Sequence, residues 1–578
     1  MKNKLRVFIE NGEYELANQY LLNNISVNDY NDEVAVFDAA IGLYYQDDKR
    51  VWNACANGLA LNPVNHELYV ILGEYYFSQK NYNQMYLCYE NALYHCKDKD
   101  DREQINSTIG MLKENYPITV RKVSIIILSY DLLQYTRNCI ESIRNTTAEE
   151  VREIIVVDNG SKDGSVEWLR GQKDIRLIEN AENIGFPKGC NQGIEAANSD
   201  HDIFLLNNDT LMLTNSLFWL RMGLYERQNI GSVGSISNNC GNLQRAERDK
   251  EYSFEEWMRY GWFKNVPMEY PYQEKLYLIG YALLIKREVV NKVGELDERF
   301  TPGNFEDNDY GLRILQEGYK NILCKNSFIF HYGSKSFKKD NEKYYNLLQI
   351  NGEKFKEKWG LGVSYHFYPR RELGDWIKEE TESAFNVLDI GCGCGALLTY
   401  IKGFYPNASI YGVEMVKKAA EIAGNIGNVI CGNIETMDFP WEKSFFDYVI
   451  LGDVLEHLHD PAEVLIKLKS YIKKGGHIIV SMPNMKHYSV MLPLIIEDKF
   501  TYEDAGILDR THVKMYTGTE INRLIKQAGY EVEEVRYTLG EEADKAVKEV
   551  IDILLEIAGK TDPMPYLAYQ YLFKAKLN

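Results

Sequence analysis

The chain has 578 residues, 45% of them hydrophobic, and a formal net charge of −19. This length predicts about three or four domains, and the negative charge argues against a protein that binds nucleic acid through its phosphates. The sequence contains no apolar run of about 18 residues and no basic and then apolar N-terminal segment, so we expect neither membrane spanning nor secretion. Ten cysteines, spread without a disulfide-like spacing, are typical of the reducing cytoplasm.

Residues 1–118 predict helices only. Tyrosine, leucine and alanine recur there at helical spacing, and Tyr14 and Tyr82 stand 68 positions apart in the similar segments GEYELANQYLL and KNYNQMYLCYENAL. Two periods of about 34 residues are typical of tetratricopeptide helix pairs, and a plain helical bundle is the open alternative. In either case we expect a module that docks a protein partner or self-associates.

Residues 119–360 predict an α/β domain. Short apolar strands such as KVSIIILSY, EIIVVDNGS and DIFLLNND alternate with helical segments, which predicts a parallel sheet covered by helices. Ligands of such sheets bind beyond the carboxyl ends of the strands, so we expect a nucleotide there. The polar residues at these strand ends are Ser129, Asp158, Asn159, Asn207, Asn208 and Asp209.

Three further features of this domain carry candidate functional groups. The glycine-rich segment NIGFPKGCNQGI contains Asn191 and lets the backbone approach a ligand closely. The EDND segment places Glu306 next to Asp307, and adjacent carboxylates raise one another's pKa, which suits a general base. His331 ends the last strand, in FHYGSKSF. A solvated acidic loop and a structural histidine are the open alternatives.

The domain resembles the family 2 glycosyltransferases of the GT-A fold, especially the rhamnosyltransferase-like branch, in the ordered motifs VSIIILSYD, IIVVDNGSKDGS, NIGFPKGCNQGI, LLNNDT, GELDERF, EDNDYGLR and HYGSKSF. The resemblance implies that Asp209 and His331 bind Mg²⁺ or Mn²⁺, which receives the diphosphate of a nucleotide-sugar. It implies that Asp307 is the general base of an inverting transfer, with Glu306 as its substitute. On this basis the donor-binding residues are Ser129, Asp158, Asn159, Asn191, Asn207 and Asn208.

Residues 361–382 are polar and predict a linker before a second α/β domain at residues 383–545. The segment VLDIGCGCGALL predicts a strand, a glycine-rich turn and the start of a helix. Its glycines permit a tight turn and the close approach of a cofactor to backbone N–H groups. About twenty residues later Glu414 ends the next strand, and FDYVILGDVLEHLHDP follows. Residues 546–578 predict a helix and a tail.

The second domain resembles the class I S-adenosylmethionine-dependent methyltransferases in these motifs. O-methylation of a sugar hydroxyl would use a base, and His457 and His512 are our candidates, with a structural role as the alternative. The resemblance implies that S-adenosylmethionine is held by Asp389, Gly391, Gly393, Gly395, Glu414, Asn433 and Asp453.

We therefore expect a multidomain chain: an N-terminal all-α, tetratricopeptide-like module, an α/β GT-A domain and an α/β Rossmann-like methyltransferase domain. Its predicted function is inverting transfer of a sugar, from deoxythymidine-diphospho-rhamnose or a UDP-sugar, to a glycan or glycoprotein such as flagellin or a surface polysaccharide, plus O-methylation of the sugar. A methyltransferase with a degenerate, binding-only glycosyltransferase domain is the open alternative, because Asn207 and Asn208 stand where many members have acidic residues.

Overall fold

The chain folds into two compact units, Met1–Phe355 and Lys356–Asn578, in a computed structural model. The structure describes residues 2–248, 250–333, 341–540 and 542–578, so residues 334–337 of the HYGSKSF motif lie outside the described residues. A helical region and a first α/β region form one unit, and a second α/β region forms the other, which confirms the predicted fold class. Among the described helices, none combines the length and the apolarity needed to span a membrane.

The helical region consists of short helices, most of which begin at a polar capping residue. Asn31, Asp47, Asn65 and Asp98 each accept a backbone N–H from the first turn of the helix that follows, which stabilises its start. The described helices are α1 (Lys2–Glu10), α2 (Tyr14–Asn24), α3 (Asp32–Tyr45), α4 (Asp48–Leu61), α5 (His66–Ser78), α6 (Tyr82–His95) and α7 (Lys99–Asn115). Helix α3 packs against α4 and α5 against α6, while the tetratricopeptide-like assignment stays a prediction.

The first α/β region contains a large mixed sheet and a small ladder. Its strands are β1 (Val123–Ser129), β2 (Arg152–Asp158), β3 (Ile175–Glu179), β4 (Asp202–Asn207), β5 (Thr210–Leu211), β6 (Ile230–Ile236), β7 (Tyr272–Lys275), β8 (Ala282–Ile285), β9 (Lys320–Phe328) and β10 (Phe330–His331). Within the described residues the large sheet has the order β3-β2-β1-β4-β8-β6-β9-β7, and β5 pairs with β10.

Strand direction in this sheet differs in part from the prediction of a parallel sheet. Strands β1 to β4 are parallel, whereas β8 runs antiparallel to β4 and β6, and β7 runs antiparallel to β9. Side-chain pattern does not encode direction, which depends on the path of the connections. The helices of the region are α8 (Leu133–Thr146), α9 (Ser165–Arg170), α10 (Phe186–Ala196), α11 (Ser216–Leu224), α12 (Phe254–Lys264), α13 (Arg287–Val293), α14 (Glu306–Gln316) and α15 (Asn341–Trp359).

The helical region and the first sheet share one hydrophobic core. The ring of Tyr69 in α5 meets Phe218 in α11 edge to face, with centroids 5.3 Å apart. Arg221 of α11 is buried and forms an ion pair with Glu90 of α6. The helices α3–α7 therefore share the core of the sheet instead of standing apart from it, whereas α1 and α2 pack in a separate cluster with α3.

The second unit is an α/β sheet with an antiparallel edge. Its strands are β11 (Asn386–Ile390), β12 (Ser409–Glu414), β13 (Asn428–Cys431), β14 (Phe446–Gly452), β15 (Ile472–Pro483), β16 (Glu531–Leu539) and β17 (Ala568–Lys576). Their order is β13-β12-β11-β14-β15-β17-β16 in the part of the unit that the structure describes. The helices are α16 (Val363–His366), α17 (Arg371–Gly374), α18 (Ala396–Phe404), α19 (Lys417–Ala423), α20 (Pro461–Lys469), α21 (Tyr488–Glu497), α22 (Gly518–Gln527), α23 (Lys545–Ala558) and α24 (Met564–Leu567).

Two segments outside the predicted bounds of the second domain belong to its fold. Strand β17, which lies in the predicted tail, runs antiparallel between β15 and β16 and completes the sheet. The predicted linker, residues 361–382, carries α16 and α17 and buries Leu373 and Trp376. Both segments are stabilised by partners distant in the sequence, which local pattern does not show.

Candidate active sites

A buried carboxylate and a buried histidine meet at the edge of the first sheet. The ladder of β5 and β10 pairs His331 with Thr210, and Nε2 of His331 lies 3.2 Å from Oδ1 of Asp209. Nδ1 of His331 lies 2.8 Å from the carbonyl oxygen of Asn239, which can only accept, so Nδ1 carries the proton. In the neutral imidazole Nε2 then presents a lone pair to the carboxylate, and Nε2 has no hydrogen-bond partner among the described residues.

This arrangement fits a divalent cation. A lone pair on nitrogen and a carboxylate oxygen repel each other in a buried place unless positive charge lies between them. The ring of Tyr281 stacks on the imidazole with centroids 5.1 Å apart and, with Asn239, fixes its orientation. The geometry of Asp209 and His331 is compatible with Mg²⁺ or Mn²⁺, and the ligand role that the family resemblance implies for them stays a prediction.

The strand ends predicted to hold the nucleotide lie side by side. Ser129 stands opposite Asp158 in the parallel ladder of β1 and β2, and Leu128 stands opposite Asn207 in that of β1 and β4. The carboxylate of Asp158 accepts the backbone N–H of Ser161 (2.8 Å) and its hydroxyl (2.6 Å). The turn after β2 therefore fixes Asp158 at this edge.

Three of the predicted donor-binding asparagines hold loops of the protein. The amide of Asn159 donates to the carbonyl of Gly185 (3.3 Å), and that of Asn208 donates to the hydroxyl of Thr136 (2.9 Å). Asn191 exchanges two hydrogen bonds with the backbone of Leu296. These contacts favour positioning roles, and donor contact by the three side chains stays a prediction.

The candidate general base lies in the first turn of α14. Asp307 accepts the backbone N–H of Gly280 (3.2 Å) at Oδ2, and burial raises the pKa of its carboxyl group. The neighbouring carboxyl of Glu306 is buried, has an unpaired Oε2 among the described residues, and has its pKa raised by burial and by the charge of Asp307. A raised pKa increases the basicity of a carboxylate toward a hydroxyl proton.

The loop before α14 is held in a restricted conformation. Asn304 and Phe305 both have positive φ angles, of 73° and 74°, which non-glycine residues seldom adopt. The buried amide of Asn351 in α15 donates to the carbonyl oxygens of Phe300 (2.8 Å) and Gly303 (2.9 Å). Helix α15 thus stabilises the loop that places the two carboxyl groups.

One short segment, Gly280 and Tyr281, contacts both Asp307 and His331. Gly280 donates its N–H to Asp307, and the next residue, Tyr281, stacks on His331 and accepts the N–H of Asn207 with its carbonyl oxygen (2.9 Å). The two residues before β8 therefore contact Asp307, His331 and Asn207. Arg313 instead pairs with Asp309 (2.8 Å) and donates to the carbonyl of Val293, which is a structural arrangement.

In the second unit, the glycine-rich turn borders a cavity of about 470 Å³. Gly391, Gly393 and Gly395 all have positive φ angles, and a Cβ atom on Gly393 would lie 2.9 Å from the carbonyl oxygen of His366. Glycine is therefore required at this close approach. The predicted cofactor residues that line the cavity are Asp389, Gly391, Gly393 and Asp453.

Glu414 braces this turn. Its two carboxylate oxygens accept the N–H groups of Gly393 and Val416, each at 2.8 Å, and each oxygen keeps a second lone pair for a ligand hydroxyl. Burial and the charge of Glu414 raise the pKa of Asp389 to about 8. Two carboxyl groups so placed favour a ligand that brings hydroxyl groups and positive charge.

Asp453, the residue after β14, is partly buried and is held by three side chains. Its carboxylate pairs with Arg370 and accepts the hydroxyl of Ser481 (2.8 Å) and the amide of Gln570 (3.0 Å). Arg370 and Gln570 also line the cavity, and the sequence analysis missed both because they lie in the predicted linker and tail. The basic and aromatic segment SYHFYPRREL, which contains Arg370, is the sequence feature that could have indicated this residue.

The remaining predicted residues of this domain lie on loops. The side chain of Asn433 is exposed and accepts the N–H of Glu435 (2.8 Å), so it caps a turn. The rings of His457 and His512 meet edge to face with centroids 4.8 Å apart, although the residues are far apart in sequence. Burial lowers the pKa of His457, which favours its neutral form.

Comparisons with known proteins separate the same two regions. Residues 124–294 match the model of glycosyl transferase family 2, and residues 364–535 match that of a methyltransferase domain. The chain thus joins a family 2 glycosyltransferase domain to a methyltransferase domain. The match to the glycosyltransferase family ends before Asp307 and His331, whereas the methyltransferase match begins inside the predicted linker and includes Arg370.

Individual relatives resemble one half of the chain each. The uncharacterized glycosyltransferase YfnE of Bacillus subtilis is 28% identical over 241 residues, covering 34% of this chain and 61% of that protein. The ubiquinone biosynthesis O-methyltransferase of Thiobacillus denitrificans is 29% identical over 159 residues, covering 26% of this chain and 66% of that protein. The chain spans less than two thirds of the length of the first curated relatives it matches. A solved mannosyltransferase of Pyrobaculum calidifontis, in complex with GDP-Man and Mn²⁺, is 16% identical with a TM-score of 0.30 and covers 41% of this chain and 63% of that one.

Proposed function

We propose that the chain is a bifunctional glycan-modifying enzyme of the cytoplasm, which transfers a sugar from a nucleotide-sugar with inversion and methylates the sugar with S-adenosylmethionine. The observation that carries the proposal is the buried Asp209–His331 pair at the carboxyl edge of the first sheet, where an unpaired nitrogen faces a carboxylate at 3.2 Å. A sheet edge with such a pair suits a ligand that brings a cation and a diphosphate.

In the glycosyltransferase domain, Asp307 takes the proton of the acceptor hydroxyl. The oxygen of the acceptor then attacks the anomeric carbon from the side opposite the nucleoside diphosphate. The bond from that carbon to the nucleoside diphosphate breaks, and the configuration at the anomeric carbon is inverted. The N–H of Gly280 orients Oδ2 of Asp307, and burial raises the pKa of the carboxyl group. Glu306, next in the same turn, is the substitute base.

Asp209 and His331 would hold Mg²⁺ or Mn²⁺, and the histidine favours Mn²⁺ of the two because imidazole is a softer ligand than oxygen. When bound, the cation supplies positive charge to the leaving diphosphate. Ser129 and Asp158 hold the nucleoside at the adjoining strand ends, with Asn207 beside them.

In the methyltransferase domain, Gly391, Gly393 and Glu414 hold S-adenosylmethionine against the turn, together with Asp389, Gly395, Asn433 and Asp453. His457 and His512 are the candidates for the group that acts on the acceptor hydroxyl. The likeness to a ubiquinone biosynthesis O-methyltransferase supports oxygen as the methylated atom.

For the substrates, we propose deoxythymidine-diphospho-rhamnose or a UDP-sugar as donor and a glycan or glycoprotein, such as flagellin or a surface polysaccharide, as acceptor. These substrates follow from the resemblance of the composite chain to proteins of bacterial surface-glycan and flagellin modification. A partner protein or self-association through the helical region belongs to the same proposal.

The proposal is tested by thermal unfolding of the chain with a panel of nucleotide-sugars, with and without Mn²⁺, and separately with S-adenosylmethionine. A ligand at about 100 times its Kd should stabilise its unit by about 2.7 kcal/mol. We expect one donor to protect in a Mn²⁺-dependent way, and Asp209→Asn to remove that protection while keeping that of S-adenosylmethionine. Protection by S-adenosylmethionine alone would overturn the glycosyltransferase half and leave a methyltransferase with a binding-only first domain.

A further inference from the structure

A second group of candidate ligand residues lies in the methyltransferase domain. Glu456, His457 and His512 each offer one ligand atom, and these atoms lie within 4.8 Å of one another. Glu456 is only 1% exposed, and neither oxygen of its carboxylate has a hydrogen-bond partner among the described residues. A buried carboxylate without partners is costly, which points to a ligand that the three side chains share.

The tautomer of His457 follows from its neighbours. Its Nδ1 lies 3.2 Å from the carbonyl oxygen of Thr511 and 3.1 Å from the hydroxyl oxygen of the same residue. That hydroxyl donates its hydrogen to Asp509 (2.6 Å), so both oxygens of Thr511 face Nδ1 as acceptors. Nδ1 of His457 therefore carries the proton, and Nε2 carries a lone pair.

His512 has the same form for the same reason. Its Nδ1 lies 2.9 Å from the carbonyl oxygen of Ile507, which can only accept. In the neutral imidazole, Nε2 of His512 is therefore the nitrogen with the lone pair. A histidine that donates one N–H to a backbone carbonyl and presents the other nitrogen is the arrangement found in metal sites.

The backbone holds the three residues together before any ligand binds. The N–H groups of Val513 and Lys514 donate to the carbonyl oxygen of Glu456, at 2.8 Å and 3.1 Å. The loop with His512 is thereby fixed to the turn with Glu456 and His457, which directly follows β14. Little chain entropy has to be lost when a ligand binds to such a site.

We propose that Glu456, His457 and His512 bind a first-row divalent cation such as Zn²⁺, Mn²⁺ or Co²⁺. Two imidazole nitrogens and one carboxylate oxygen form a ligand set typical of these ions and unlike the all-oxygen sets of Ca²⁺. Ligand atoms about 2.0–2.2 Å from Zn²⁺ lie at most about 4.4 Å apart, so small side-chain shifts complete the site.

The site is close in sequence to the cavity beside the glycine-rich turn, because Asp453, which lines that cavity, precedes Glu456 by three residues. A cation bound here would occupy the lone pairs of His457 and His512, so the two histidines would act on an acceptor hydroxyl through the ion. This last role rests on the proposed methyl transfer, whereas cation binding does not.

The first test is titration of the full chain with Co²⁺, followed by its visible absorption, in an Asp209→Asn background that removes the other cation pair. We expect saturable binding that is weakened at least tenfold by His512→Ala and by Glu456→Gln. His459→Ala is the matched control, because His459 is an exposed histidine two residues beyond His457 and outside the cluster. Binding of S-adenosylmethionine, measured in parallel, reports that each variant is folded. Equal Co²⁺ affinity in all variants, or no saturable binding, would overturn the proposal.

A second test avoids substitutions in the cluster. Diethyl pyrocarbonate modifies the lone-pair nitrogen of histidine, and mass spectrometry of the full chain locates the modified residues. We expect Zn²⁺ to slow the modification of His457 and His512 at least tenfold and to leave His459 unaffected. Unchanged rates at His457 and His512 would contradict cation binding even if the substituted proteins failed to fold.

Discussion

At the scale of single residues, hydrogen-bond partners decide what each candidate group can do. The carbonyl oxygen of Asn239 fixes a proton of His331 on Nδ1, and in the neutral imidazole Nε2 then presents a lone pair to Asp209. Asp307 lies in the first turn of α14, and the backbone N–H of Gly280 orients its carboxylate. Asn191, by contrast, uses both the NH₂ group and the oxygen of its amide in hydrogen bonds with the backbone of Leu296, which favours a positioning role.

Replacing Asp307 by asparagine tests the general base. The amide keeps the size of the side chain but cannot take the acceptor proton, so we expect kcat for sugar transfer to fall about 10²- to 10⁴-fold. The affinity for S-adenosylmethionine, measured by calorimetry, should not change. Glu306→Gln is the matched control in the same turn and should cost less. Full transfer activity in Asp307→Asn would contradict the assignment.

Asp389 makes the stability of the second unit depend on pH. Its pKa is about 8 in the folded chain, and an aspartate in an unfolded chain titrates near ~3.9. Between these values the folded state binds more protons than the unfolded state, so stability should fall as the pH rises from about 4 to about 8. Asp389→Asn should flatten this slope in denaturant unfolding, whereas the exposed control Asp438→Asn should keep it. An unchanged slope in Asp389→Asn would show that Asp389 is not the group responsible.

At the scale of elements, the strands with clear apolar runs could be predicted from the sequence, and the elements defined by distant partners could not. The motif LLNNDT predicts a buried strand that breaks off into Asn207, Asn208 and Asp209, and the observed strand β4 ends at Asn207. The two-residue strands β5 and β10 carry no periodic signal, although they bring His331 to Asp209. Strand β17 alternates too weakly to be recognised before its partners β15 and β16 are known. The cavity residues Arg370 and Gln570 were missed for this reason.

The packing of the helical region on the first sheet depends on one buried ion pair between α6 and α11. The side chain of Arg221 is 5% exposed and that of Glu90 is 18% exposed. Removing one partner leaves an uncompensated buried charge, so Glu90→Ala should lower the free energy of unfolding of the first unit by about 3 kcal/mol. Glu103→Ala, in an exposed pair with Lys99, should change it by less than about 0.5 kcal/mol. Urea unfolding of both variants checks this, and equal effects would contradict a supporting role for the pair.

At the scale of the whole molecule, the chain places two transferase domains in two compact units of one polypeptide. Under the proposed function, covalent linkage would raise the effective concentration of a transferred sugar at the second site. The proposed function also sets the order of the reactions, with sugar transfer before methyl transfer.

The most direct measurement is a double-label assay in an extract of a strain that lacks the gene. Purified chain is added with a nucleotide-sugar labelled in the sugar and with S-adenosylmethionine labelled in the methyl group. The account predicts that both labels enter one product, and that Asp307→Asn removes both of them although its affinity for S-adenosylmethionine is intact. Incorporation of the methyl label by the Asp307→Asn variant, or the two labels in separate products, would contradict the proposed function.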